Sequence, residues 1–171
     1  MWTSRETGLL AERLDAVAIG AEPMEAALSA VAGMTGAFGA VMFAGARDEP
    51  VRRAWNAGFR PDAEALYVAD YADHDALRLR IHDQSAHRWR RVPDVRGGGS
   101  RARNPFFAEF LPWIGSRHVA TLRLVRPGQA PLILALHRGR GREDFALRDL
   151  RDLDGLVPTL GRFAERVAII A

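Results

Sequence analysis

His118-Val119-Ala120-Thr121-Leu122-Arg123-Leu124-Val125 is followed by a Pro127-Gly128 turn and then by Leu132-Ile133-Leu134-Ala135-Leu136-His137. The first run alternates. Ala120, Leu122 and Leu124 fall on one face, Thr121 and Arg123 on the other, which is the period of a strand with two different sides. The second run is almost continuously apolar, as expected of a strand covered on both faces at the centre of a sheet. Together they predict a β-hairpin. A second hairpin is predicted upstream. Residues 37–44 (AFGAVMFA) form a short apolar run bounded by glycine, residues 45–50 turn the chain, and Val51 to Ala57 returns.

Helices are predicted around these hairpins. Thr3 and Glu6 stand at capping-box spacing, and Leu10, Leu14 and Val17 give one apolar helical face that ends near Gly20. Pro23 suits the first turn of a second helix, with Met24, Ala27, Leu28 and Val31 on its apolar side and Gly33 and Gly36 at its end. Pro61 opens a helical segment through Ala65, Leu66, Ala69 and Tyr71. Asp73 or Asp75 caps its continuation through Leu77, Leu79 and Ile81. A short strand is expected over 88–92, and Asn104-Pro105 starts a short helix from Phe106 to Leu111. The last helix begins near Asp144. Leu150, Leu153, Val157, Leu160, Ala164 and Val167 follow 3-4-3-4-3 spacing along it, a narrow seam suited to core packing or to pairing with a second chain. Pro158 is expected to kink it. The predicted order, α-α-β-β-α-α-(β)-α-β-β-α, gives an α+β fold: an antiparallel sheet flanked by helices, in a single domain spanning 1–171.

Composition removes several kinds of chemistry. All 24 basic residues are arginine; lysine and cysteine are absent. This excludes a Walker A loop, a Schiff-base or general-base lysine, a thiol nucleophile, a disulfide and a cysteine metal cluster. A GC-rich genome accounts for arginine in place of lysine. The net charge of +3 is local. His87 to Arg103 holds six Arg and one Asp, leaving eighteen Arg against twenty acidic residues elsewhere. Pro93 and Gly97-Gly98-Gly99 interrupt that stretch, so it reads as a solvated loop before it reads as a nucleic-acid surface. No apolar run approaches the ~20 residues of a membrane span, and the first residues lack a signal-peptide pattern. A cytoplasmic bacterial domain without membrane contact is expected.

No catalytic set stands out. His74, His82, His87, His118 and His137 have no metal-binding spacing, and no serine lies in a Gly-x-Ser-x-Gly elbow. No metal and no cofactor are expected. An unrecognised hydrolase or isomerase would have to use His118 or Glu109. The aromatics point elsewhere: Trp55, Tyr67, Tyr71, Trp89 and Trp113 lie between or beside the hairpins, and Phe106, Phe107 and Phe110 crowd one short helix. Such side chains beside a sheet suit a small-molecule pocket.

The run Asn104-Pro105-Phe106-Phe107-Ala108-Glu109-Phe110-Leu111, then Arg117-His118-Val119, then Leu134-Ala135-Leu136-His137-Arg138-Gly139-Arg140-Gly141-Arg142, Asp144-Phe145 and Leu150 to Arg166 resembles the N-terminal sensor region of LuxR-type bacterial transcription regulators. The likeness is good from about Tyr67 to Arg166 and weaker before it. It implies a GAF/PAS-like sandwich that senses a small molecule and passes its state to an output domain or partner. Members that bind acyl-homoserine lactones carry Trp-x3-Tyr, then an Asp and a second Trp. Asp75 falls on the Asp, Trp89 beside the second Trp and Tyr67 one position from the Tyr, while Ala63 stands near the first Trp. The ligand is therefore open between a lactone and another small molecule. Trp55, Tyr67, Tyr71, Asp75, Trp89 and Trp113 are the expected ligand-binding set, with Asp75 accepting from a ligand N–H or O–H. The six-residue seam is the expected homodimer contact. The sequence ends at Ala171 without a recognition helix, so DNA contact is expected only through a helix-turn-helix that it lacks. A ligand-free dimerisation module is the alternative to sensing.

Overall fold

The computed structural model describes residues 1–49, 51, 54–92 and 103–167. The chain begins with α1 (Ser4–Ala18) and α2 (Met24–Thr35). The capping box at α1 forms as its spacing predicts: the Glu6 amide donates to the Thr3 hydroxyl, and the Thr3 amide donates to the Glu6 carboxylate at 2.7 Å. Pro23 is the residue before α2, and Gly36 closes that helix in the left-handed conformation (φ 66°).

The hairpin of β1 (Gly39–Ala44) and β2 (Ala54–Ala57) follows. β2 covers Ala54–Ala57 of the expected 51–57 span, of which residues 52 and 53 lie outside the described residues. α3 (Ala63–Leu66) runs on through a π-helical turn (Tyr67–Tyr71) and a 3-10 turn (Ala72–His74) into α4 (Ala76–His82). The capping of α4 falls to Asp75, one of the two expected candidates. β3 (Arg90–Val92) is the expected short strand. A second π-helical turn (Phe106–Phe110) leads into α5 (Leu111–Trp113), then β4 (His118–Arg126) and β5 (Gln129–Arg138). Asn104 caps this segment, its side-chain oxygen accepting from the Phe106 amide at 2.9 Å. Most of the Gly-interrupted arginine loop, 93–102, lies outside the described residues.

The five strands form one antiparallel sheet in the order β2-β1-β5-β4-β3. β5 is central, as its apolar run requires. Its pairing with β1, with Met42 opposite Leu134 and Ala40 opposite Leu136, joins the two hairpins.

Alternation along the strands creates two layers. Ala40, Met42, Ala120, Leu122, Leu124, Leu132, Leu134 and Leu136 face α1, α2 and the C-terminal helices and form the larger core. Val41, Phe43, Ala54, Val119, Ile133 and Ala135 face the α3–α5 layer.

The C-terminal segment departs from expectation. It is two helices, α6 (Leu147–Asp154) and α7 (Val157–Arg166), separated at Gly155–Leu156, not one helix kinked at Pro158. Pro158 sits in the first turn of α7, where no amide donor is needed, so its ring costs nothing there. Pro158→Ala is accordingly expected to change unfolding free energy by less than about 1 kcal/mol, against ~3 kcal/mol for relieving a proline inside a helix. Urea denaturation of the two proteins checks this.

The stripe expected as a dimer contact packs largely inside the molecule. Leu153, Leu160, Ala164 and Val167 are buried in the chain's own larger core, and Leu150 and Val157 pack against it. Four of the six side chains are buried and the other two are partly covered, because the sheet face of Leu122, Leu124, Leu134 and Leu136 needs an apolar cover.

Candidate functional site

The two faces of the sheet carry residues of different size. Towards α1, α2 and α7 the central strand presents Leu132, Leu134 and Leu136. Towards α3–α5 it presents Ile133, Ala135 and His137. The rows across this second face follow from the register. Asn56, Val41, Ala135 and Thr121 form one row; Gly39, His137 and Val119 form the next. With glycine, alanine, valine and threonine at most of these positions, the face does not fill the space below the helices, and about 90 Å³ remains.

Ala63, Tyr67, Leu77, Ile81, Phe106, Phe110, Leu111 and Ile114 roof this cavity. The walls are overwhelmingly apolar. Phe110 stacks on Phe106 (centroids 5.6 Å apart), and Tyr67 lies against both rings at 6.1 and 5.6 Å. Both π-helical turns, which widen the helix by one residue, contribute these rings.

Tyr67 and Asp75 form the first polar element. The Tyr67 hydroxyl donates to Asp75 Oδ2 at 2.8 Å. Asp75 Oδ1 accepts from the Leu77 and Arg78 amides at 2.9 and 3.1 Å, as the cap of α4. Burial raises the Asp75 pKa above the ordinary carboxylate value, and the three hydrogen bonds pull the other way. Burial, with the nearby Asp75 charge, also raises the Tyr67 pKa, so the phenol keeps its proton. Within the chain, the buried Asp75 carboxylate is satisfied by these three donors.

His137 is the second polar element. It is 5% exposed, and its Nδ1 lies 2.8 Å from the Ser116 hydroxyl. Burial lowers its pKa to about 3, so the imidazole is neutral. A base that weak has little drive to remove a proton from a serine. Thr121 lies on the same face, its hydroxyl donating to Gln84 Oε1 at 3.2 Å, and Asn56 donates to Glu64 at 3.4 Å.

The expected ligand-binding residues divide. Tyr67 and Asp75 line the cavity and bond to one another. Tyr71 lies further out, its ring 5.0 Å from Phe110 and its hydroxyl donating to Glu109 at 3.2 Å. Trp113 lies behind Phe110 with the Arg60 guanidinium 4.2 Å above its ring. Trp55 and Trp89 belong to the opposite layer. On β2 the neighbours Ala54 and Asn56 point to the cavity, so period two turns Trp55 away from it. Trp89 is fully buried in the larger core, with its amide donating to Asp154 at 2.9 Å.

The alternative catalytic residues also lie elsewhere. Glu109 bonds Tyr71 at the surface, and His118 Nδ1 stands 3.7 Å from Asp144; neither lines the cavity. Arg138 and Phe145 of the resembling motif are structural. The Arg138 guanidinium lies 4.1 Å from the Phe145 ring, donates to Thr35 O and pairs with Asp149, tying β5 to α2 and α6.

His137 was not singled out as a ligand residue, and neither were Thr121, Asn56 and Phe59. A signal existed for two of them. Thr121 interrupts the apolar pattern of β4, and His137 ends an otherwise apolar central strand.

No family model matches the sequence, and no curated protein matches it. Solved structures do match in fold. The N-acylhomoserine lactone dependent LuxR family transcription factor CepR2 from Burkholderia cenocepacia superposes with a TM-score of 0.68 over 95% of this chain and 94% of that one, at 19% identity. The Stigmatella aurantiaca phytochrome photosensory core module matches with a TM-score of 0.55 over 94% of this chain, at 15% identity. The chromophore-binding domain of bacteriophytochrome RpBphP3 from R. palustris gives 0.55 over 92%, at 16% identity. This chain spans 35% and 59% of those two proteins. At these identities the likeness concerns the fold. The chain has the α+β, GAF/PAS-like sandwich expected from its sequence, shared with a LuxR-type regulator and with photosensory domains. Among the described residues, no helix is long and apolar enough to cross a membrane.

Proposed function

We propose that this chain is the small-molecule-sensing domain of a LuxR-type bacterial regulator, cytoplasmic and without enzymatic activity. The cavity between the sheet and the α3–α5 layer is the observation that carries this reading. Among the described residues the lining contains no arginine; its buried carboxylate, Asp75, already holds three donors, and the other lining carboxylate, Glu64, accepts from Asn56. The ligand is therefore neutral, with an apolar body that fits against Val41, Ala135, Phe106 and Phe110.

Signalling requires that the ligand favour one of two states of the domain. The sheet is the shared element. Ala135 and His137 face the cavity, while Leu134 and Leu136 on the same strand face the layer that contains α6 and α7. A shift of β5 on ligand binding reaches the C-terminal helices through those leucines, and from them an output domain.

The test combines solvent extraction of the purified chain for mass spectrometry with a thermal-shift screen of metabolites. A ligand present at about 100 times its Kd stabilises by roughly 2.7 kcal/mol, a readily measured shift. Ala135→Phe, which fills the floor of the cavity, is expected to keep the domain folded and to remove that shift. A broad panel in which nothing co-purifies and nothing stabilises would overturn the proposal.

A further inference from the structure

We propose that His137 contacts the bound molecule directly, its Nε2–H donating a hydrogen bond to an acceptor oxygen on an otherwise apolar ligand. This rests on the cavity being the ligand site, and it adds one chemical requirement: a carbonyl or ether oxygen placed over β5.

The argument is one of hydrogen-bond accounting. His137 lines the cavity, and its Nε2 is buried with no partner. Its other ring nitrogen is taken by Ser116. The serine hydroxyl has one hydrogen, and Nδ1 is the acceptor within reach. If Ser116 donates, the hydroxyl is satisfied and the ring proton sits on Nε2. The opposite tautomer leaves both the hydroxyl hydrogen and Nε2 unmatched, and an unmatched buried group is costly. Ser116 therefore fixes His137 as a donor, in the way that a neighbouring group fixes the tautomer of other functional histidines.

Among the described residues, none places an acceptor within hydrogen-bond reach of this donor. The rings of Phe59 and Phe38 stand edge-on to it, with centroids 5.0 and 6.4 Å away, and their faces make weak acceptors. On the neighbouring strands, Gly39 and Val119 lie opposite His137 and contribute no polar side chain. An unmatched donor in an apolar wall is how a site selects an oxygen-bearing ligand over its hydrocarbon analogue.

Two probes of similar shape test this, acetophenone and ethylbenzene, which differ in the carbonyl. Affinities come from NMR titration of the full chain, with the ring nitrogens of ¹⁵N-labelled histidine as a second readout. The wild type is expected to bind acetophenone roughly tenfold more tightly than ethylbenzene, with the protonated His137 nitrogen shifting on acetophenone alone. His137→Leu is expected to lose that preference and still bind ethylbenzene. Ser116→Ala, which releases the tautomer, is expected to weaken it. Equal affinities in the wild type, or a preference that survives in His137→Leu, would overturn the role of His137 and leave the cavity standing. Binding of neither probe would overturn the cavity reading and this inference with it.

Discussion

Leu160→Glu is expected to unfold the domain, not to dissociate a dimer. Leu160 is 2% exposed in the larger core. Removing a buried leucine costs about 2–5 kcal/mol. The carboxylate that replaces it meets no cation among the residues of that core, and desolvating it adds several kcal/mol more. The total is comparable to the ~5–15 kcal/mol that holds a domain together. Circular dichroism should show the loss of a cooperative thermal transition, and light scattering an expanded or aggregated chain. A folded protein of wild-type stability and half the wild-type mass would instead show that the seam faces a second chain.

Acidification gives the other large effect. The His137 pKa falls to about 3 in the fold, against an ordinary value of 6.5. Between those values the unfolded chain binds a proton that the folded chain does not. Stability therefore drops as pH falls below 6.5, by about 1.4 kcal/mol per unit, until about pH 3. Asp75 works in the opposite sense. Its folded pKa is raised, so its contribution is full below the ordinary carboxylate value of 3.8 and is lost as pH rises through the folded value. Comparing the wild type with His137→Leu isolates the histidine. From pH 6.5 to 4.5 the wild type should lose about 2 kcal/mol more than the variant in urea unfolding. Parallel profiles would mean that His137 titrates normally and is not buried as described.

Much of the fold follows from local chemistry. The capping box of Thr3 and Glu6, the left-handed Gly36, the Asn104 cap and the two alternating hairpins each require only neighbours in the chain, so their residue types announce them. The central place of β5 was legible for the same reason: a run from Leu132 to Leu136 with no polar side can be covered only from both faces.

The site was legible in part. Tyr67 and Asp75 were marked together by the resemblance to LuxR-type sensor regions, and the structure brings them within 2.8 Å. Trp55 and Trp89 were not separable from them, because an aromatic residue near a sheet suits either face. A shift of one residue in strand register decides between ligand pocket and core. Likewise, the 3-4-3-4-3 stripe from Leu150 to Val167 states that one face is apolar and does not state what covers it.

The sequence by itself determined most of the segments that form helices and strands, which residues are apolar, and that no lysine or thiol chemistry is available. Those properties belong to single residues and short-range periodicity. Only the tertiary structure decided that the C-terminal stripe lies against the chain's own sheet, that Ala135 and its small neighbours leave a cavity, and that Ser116 meets His137 across 21 positions of sequence. Those are pairings between distant segments. They depend on strand order, register and side-chain volume summed over many residues, which no local pattern contains.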